Sequence, residues 1–262
     1  VGLALLVAPC RGDLFAVMSG ANEVLRIDSA TGIVKRTYPF PPFPPSLAPS
    51  PSVGMTFDGR SLFVSFNDNP QGFAELWRLD VVDDIWFPPE FLDLPPADVS
   101  KLIVGLGYRQ DEFPGTLIAV SRNITGDVPA PLSYIYSYSM TPDFPAPLSP
   151  NFPIGELPTV LARAADVNPA TGELWIAGID FEGDDPTTRV LRTDLSGAIL
   201  ESVTPTLGGG FLVNGLAFDG GEMFIGARNL VETRSEIHVI DRATGESVRW
   251  FVVDESRTIA AL

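Results

Sequence analysis

Cysteine and histidine are almost missing from this chain. A single Cys, Cys10, in 262 residues excludes an internal disulfide and any zinc site built from several thiolates. A single His, His238, excludes multi-histidine metal clusters and leaves one imidazole for acid–base chemistry. Lysine is nearly as scarce. There are 2 Lys and 15 Arg against 33 acids, for a formal charge of −16. A surface this acidic repels phosphate backbones and anionic lipid, so no nucleic-acid partner is expected. No apolar run reaches the roughly 20 residues of a membrane-spanning helix, and no segment has helical periodicity.

Turn-forming residues are abundant. With 24 Gly, 25 Pro and 45 % apolar residues, the composition points to many short strands around an ample core, in one all-β domain. The segment "EVLRIDSATGIVKRTY" (23–38) returns as "EIHVIDRATGESVRWF" (236–251), and these are two of five copies. Aligned on the residue that ends the strand, the copies fall at Asp28, Asp80, Ser139, Asp194 and Asp241, spaced by 52, 59, 55 and 47 residues. A second element keeps phase with the first: "GDLFAVMS", "GRSLFVSF", "GTLIAVSR", "GELWIAGI" and "GEMFIGAR". A third precedes it: "VGMTFDG", "VGLGYRQ", "AADVNPATG" and "NGLAFDG". All-strand units of this period predict propeller blades of four antiparallel strands.

Within a blade, strand A is small and Gly/Ala-rich where strands crowd the central channel. Strand B carries the bulky residues Phe15, Phe63, Ile118, Trp175 and Phe224, expected to pack between blades. Strand C runs into the Asp, and strand D is the polar outer strand. The recurring Asp-x-x-Thr-Gly is read as turn chemistry, the Asp accepting from backbone N–H groups ahead and Gly supplying a positive φ. That reading is preferred to a ring of metal ligands.

The blade "GLAFDGGEMFIGAR…SEIHVIDRATGESV" (215–248) resembles those of secreted bacterial β-propellers of the YVTN/NHL type, and the likeness extends over residues 13–262. It departs in the third blade, where "SYIYSYSMTPDF" lacks the turn Asp and Gly. The resemblance implies a propeller fold and an extracytoplasmic, bacterial setting. It leaves function open, since such proteins include binding modules, scaffolds and enzymes.

"VGLALLVAPCRGD" is similar to the end of a secretory signal peptide and also aligns as a first inner strand, so residues 1–12 carry both readings. In the favoured one, "RTIAAL" (257–262) supplies the missing inner strand of blade 1 and closes a five-bladed ring. The alternative is a fragment of a six- or seven-bladed propeller. The blades span about 13–41 with 257–262, 52–93, 102–146, 160–204 and 212–254 of a single domain, 13–262. Leu262 falls inside a strand, so the natural chain is expected to continue.

Connections A–B and C–D emerge on one face and are short. Connections B–C and D–A emerge on the other and are long and irregular, including "YPFPPFPPSLAPSPS", "WFPPEFLDLPPAD" and "MTPDFPAPLSPNFPIGELP". A rigid scaffold with variable loops on one face places binding there. The expected contacts are Asn67, Asp68, Arg122, Asn123, Asp180, Asp184 and Arg228, all at or just past the end of a strand B. "PFPPFPP" reads as a stiff strap with Phe40 and Phe43 packed down, in preference to a polyproline ligand. Asn123-Ile-Thr matches a glycosylation acceptor.

The sequence offers two metal readings. "DFEGDDP" gathers Asp180, Glu182, Asp184 and Asp185 as candidate Ca²⁺ ligands, set against plain surface charge. Asn214 in "LVNGLAFDG" matches the Asn-Gly metal ligand of the more distantly similar gluconolactonase-like propellers. The equivalent positions, Arg163 and Val53, do not support it. His238 falls mid-strand, away from the loops, so a Ser-His-Asp triad is discounted. The expected function is a secreted, monomeric, non-enzymatic scaffold that binds a protein or glycan on the long-loop face and needs no cofactor. The alternative is a divalent-metal-dependent hydrolase of the lactonase type.

Overall fold

In a computed structural model of the chain, five four-stranded antiparallel sheets form a five-bladed β-propeller. The structure describes residues 12–18, 23–41, 53–67, 73–94, 101–110, 115–123, 132–140, 153–182, 186–207, 210–219, 221–255 and 257–262. Blade 1 contains β1 (Asp13–Met18), β2 (Glu23–Asp28) and β3 (Val34–Pro39). Blade 2 runs outward from β4 (Val53–Phe57) through β5 (Ser61–Asn67) and β6 (Phe73–Asp80) to β7 (Ile85–Asp93). Blade 3 comprises β8 (Lys101–Arg109), β9 (Thr116–Asn123), β10 (Ser133–Ser139) and β11 (Gly155–Leu157). Blade 4 comprises β12 (Val160–Val167), β13 (Leu174–Asp180), β14 (Thr187–Thr193) and β15 (Ile199–Val203). Blade 5 comprises β16 (Phe211–Asp219), β17 (Glu222–Asn229), β18 (Arg234–Ile240) and β19 (Ser247–Asp254). The last strand, β20 (Ile259–Ala261), pairs antiparallel with β1 and completes blade 1 from the far end of the chain. "RTIAAL" therefore closes the ring.

Two outer strands lie where the repeat suggested connections. Residues 85–93, Pro88 and Pro89 included, form β7, an outermost strand, and an edge strand is where missing N–H donors are tolerated. The fourth strand of blade 3 is β11, at residues 155–157, beyond the position 146 to which the spacing carries that blade. The long Pro-rich stretch before it therefore falls between strands C and D of blade 3 in chain order, where the sequence suggests a D–A connection.

Each blade interface holds one apolar cluster, and each cluster contains one of the five strand-B anchors. Phe15 packs between blades 1 and 2, Phe63 between 2 and 3, and Ile118 between 3 and 4. Trp175 and Phe224 fill the last two interfaces, both with no solvent exposure. Phe40 is buried and packs on Phe66 and Trp86 at ring-centroid distances of 5.0 and 4.8 Å. Phe43 lies outside the described residues.

The turn reading of the repeat is the observed one. Asp28 Oδ1 accepts from the N–H groups of Ala30 and Thr31, and Gly32 N–H donates to the Asp28 carbonyl with φ 73°. Asp241 does the same for Ala243, Thr244 and Gly245. Asp80 and Asp194 cap the corresponding turns of blades 2 and 4. Lys35 and Thr31 hold the Asp28 carboxyl far below the usual carboxylate range.

Small residues set the channel. Register places Gly54, Gly105, Ala164, Gly215 and Ala261 at about one level of the inner strands, forming a belt that lets five strands meet. A Cβ on Gly105 would lie 2.2 Å from the Ala165 nitrogen of the next blade. Gly105→Val is therefore expected to destabilise the fold by at least 1–3 kcal/mol, on the order of the cost of core overpacking, read as a lower midpoint in urea.

Candidate ligand-binding site

Directly below that belt the inner strands diverge, and a cavity of about 380 Å³ opens toward the short-loop face. Its walls come from the ends of β4, β8, β12 and β16 and the start of β1. One level beyond the glycines, register aligns Thr56, Gly107, Asp166 and Ala217, each opposite a strand-B anchor. Three of these are what a crowded inner strand requires. The fourth, Asp166, is an acid in a ring of small residues.

Asp166 joins three blades. Its Oδ1 accepts from Val167 N–H at 2.8 Å, its Oδ2 accepts from Phe218 N–H of blade 5 at 3.2 Å, and it hydrogen-bonds the Thr56 hydroxyl of blade 2. Gly107 of the intervening strand has no side chain to block that reach. Burial pushes the Asp166 carboxyl well above the usual carboxylate range, against the three hydrogen bonds, which pull the other way. The carboxyl therefore keeps its proton to higher pH than a free one, and in that form it is both donor and acceptor in the cavity wall.

The rim is acidic and the walls are partly aromatic. Asp219 Oδ2 accepts from Gly12 N–H at 2.7 Å and from Ser29 Oγ at 2.8 Å, which fixes the carboxylate at the mouth. Asp58 Oδ1 caps the β4–β5 turn through Arg60 and Ser61 N–H. Phe15 and Phe57 stand with ring centroids 5.0 Å apart, and Phe57 is 38 % exposed. Tyr108, Arg109 and Phe218 complete the far wall. Burial, then the Asp58 charge, raises the Tyr108 phenol, so it stays a donor at neutral pH.

The residues expected from sequence are placed differently. Asn67 ends β5, and Asp68, Asp184 and Asp185 lie outside the described residues. Asp180 is buried, caps Glu182 N–H and faces Arg189 Nη1 at 3.4 Å, so it serves the turn and an ion pair. Asn123 ends β9, where its N–H donates to the Leu132 carbonyl. Arg228 Nη1 donates to the Arg257 carbonyl at 2.9 Å. Asn214 is the extra residue of a β-bulge between Val213 and Gly215, and Arg163 occupies the homologous bulge of β12. Among the described residues, no group of three or more His, Cys, Asp or Glu could hold a metal ion.

His238 lies mid-strand in β18 as expected. Its Nδ1 is 2.9 Å from Ser247 Oγ and its Nε2 is 3.0 Å from Glu236 Oε2, with Phe211 and Trp250 against the ring. Arg234 and Asn229 donate to the other oxygen of that carboxylate, Glu236 Oε1. The imidazole is a buried crosspiece between β18 and β19.

Sequence reasoning placed function on the long-loop face, and the described cavity opens on the other. The available signal was the third repeat element, where Asp166 replaces the Thr, Gly or Ala of its counterparts.

No helix among the described residues is long and apolar enough to cross a membrane. No protein-family model and no curated protein matches the chain. Among solved structures, it is similar to a protein of unknown function from Bacteroides caccae (16 % identity, 93 % of this chain and 73 % of that one, TM-score 0.44). It is also similar to Kuenenia stuttgartiensis hydrazine synthase (11 % identity, 88 % and 74 %, TM-score 0.49). A third is a quinonprotein alcohol dehydrogenase-like protein from Bacteroides thetaiotaomicron (12 % identity, 94 % and 58 %, TM-score 0.41). These likenesses assign no activity to the chain.

Proposed function

We propose that this propeller is a secreted or envelope-associated binding module of the YVTN/NHL type, non-enzymatic, and that it takes a glycan end in the funnel on its short-loop face. The observation that carries this reading is the cavity itself. It is concave and partly aromatic, and within the ~300–1,000 Å³ range of small-molecule sites. Its polar groups are mixed. Tyr108 and Arg109 donate, while Asp58, Asp219 and Asp166 offer carboxyl oxygens, which matches a ligand whose hydroxyls do both. Phe57 offers a flat apolar face at the rim. The long B–C and D–A connections remain where a protein partner would meet the opposite face. The signal-like residues 1–12 support export, and all of them but Gly12 lie outside the described residues.

The test is calorimetric titration of an oligosaccharide panel against the wild type and Phe57→Ala. At least one oligosaccharide is expected to bind, with affinity about tenfold lower in the variant from loss of an aromatic contact worth about 1 kcal/mol or more. Because Phe57 also packs on Phe15, the variant should melt a few degrees lower, roughly 2–4 °C, while staying folded at the titration temperature. Failure of every sugar to bind, or binding indifferent to Phe57, would overturn the reading.

A further inference from the structure

We propose that Arg163 and Arg122 form an anion site between blades 3 and 4, at the long-loop end of the channel, for a carboxylate or phosphate group on a small ligand. This site is separate from the funnel, with the small-residue belt between them.

Arg163 is the extra residue of the β12 bulge: Ala162 pairs with Gly178 and Ala164 with Ala177, leaving Arg163 without a cross-strand partner. A bulge re-aims the side chain it carries and is a common device beside binding sites. Arg122 lies on β9, opposite Leu102 and Ser133, on the same face of the strand as Ile118 and Val120, which pack against blade 4. That parity turns it toward β12. The two guanidiniums are close enough for Arg163 to disfavour the charge on Arg122, and burial lowers both from the ordinary arginine value.

A half-buried charge costs stability unless something compensates it. This chain has 33 acids, and nine of its described arginines face a carboxylate. Arg163 has no such partner among the described residues, and its Nε is buried with no hydrogen bond. In a protein with so much negative charge, a cation with no acid against it among the described residues is kept for an anion that arrives from outside. Two guanidinium forks fit carboxylate and phosphate oxygens in bidentate fashion, which a lysine point charge would not.

The experiment uses the full chain at constant ionic strength, with sodium chloride replaced stepwise by sodium phosphate or by sodium acetate. Melting temperature and calorimetric binding are followed for the wild type, Arg163→Met and Arg163→Lys. The wild type is expected to be stabilised by one or both anions at millimolar concentration. A larger response to phosphate assigns a phosphate ligand, and a larger response to acetate assigns a carboxylate. Arg163→Met keeps the apolar stem and removes the charge. It should lose the anion response and melt about 2–4 °C above the wild type in chloride alone. Arg163→Lys, which keeps the charge and loses the fork, should bind the anion about tenfold more weakly. A wild type that responds to neither anion overturns the site, as does a response retained in Arg163→Met.

Discussion

A chain shortened to end at Glu255 is expected to melt roughly 10–20 °C below the 262-residue chain. The lost segment carries Ile259 and Leu262, both buried, and burial of each is worth about 1.5–3 kcal/mol. For a domain of this size, 1 kcal/mol shifts the midpoint by about 2–4 °C. The segment also carries Arg257, whose guanidinium ties Glu23 of blade 1 to Asp254 of blade 5. Without β20, the inner edge of β1 offers unpaired backbone groups to other chains, so aggregation should accompany the lower midpoint. A peptide of residues 257–262 added in trans should recover part of the loss by strand addition. Circular dichroism melts of both chains check this. A midpoint within about 2 °C of the full chain would mean that closure does not hold the ring together.

The second large effect is the pH response of Asp166. In the unfolded chain its carboxyl titrates near 3.8, and burial holds the folded value well above that. Below about pH 4 both states are protonated, and the group does not affect the pH dependence. Above it, the unfolded state loses its proton while the folded state keeps it. Stability therefore falls as pH rises, by up to about 1.4 kcal/mol per unit, until the folded value is passed. His238 works in the opposite sense. Burial lowers its folded value below the ordinary 6.5, so it adds stability as pH rises toward that point. The difference between wild type and Asp166→Asn removes the His238 contribution. An amide oxygen can replace one acceptor of Asp166 but not both, so the variant should be about 1 kcal/mol less stable at pH 4 and below, where both states of the wild type are protonated. By pH 8 it should be the more stable of the two. Urea midpoints at pH 4, 5, 6, 7 and 8 check this, and parallel curves for the two proteins would show that Asp166 ionises freely.

The architecture was legible because it repeats. The phase of the strand-B anchors Phe15, Phe63, Ile118, Trp175 and Phe224 marked the five interfaces, and the turn acids marked where strands C end. Elements outside that rhythm were missed. β7 was masked by Pro88 and Pro89, which only an edge strand admits. β11 is three residues at the end of a long connection. The bulges that re-aim Arg163 and Asn214 are invisible in an alternating pattern, because a one-residue insertion into a strand leaves no sign in composition. The funnel was missed for a different reason. Its residues come from six segments spread between Gly12 and Leu262, none of them a motif, and only the ring brings them together.

The way the ring closes also has a mechanical consequence. β1 begins and β20 ends at the same end of blade 1, and both Gly12 and Leu262 line the cavity. Tension applied between those two residues would not load the β1–β20 ladder along its length, as shear does. It would peel the ladder open rung by rung from the funnel end. The lowest-force failure point of the propeller therefore coincides with its cavity, and a ligand seated across that seam would act as a stitch, raising the force at which the ring first parts.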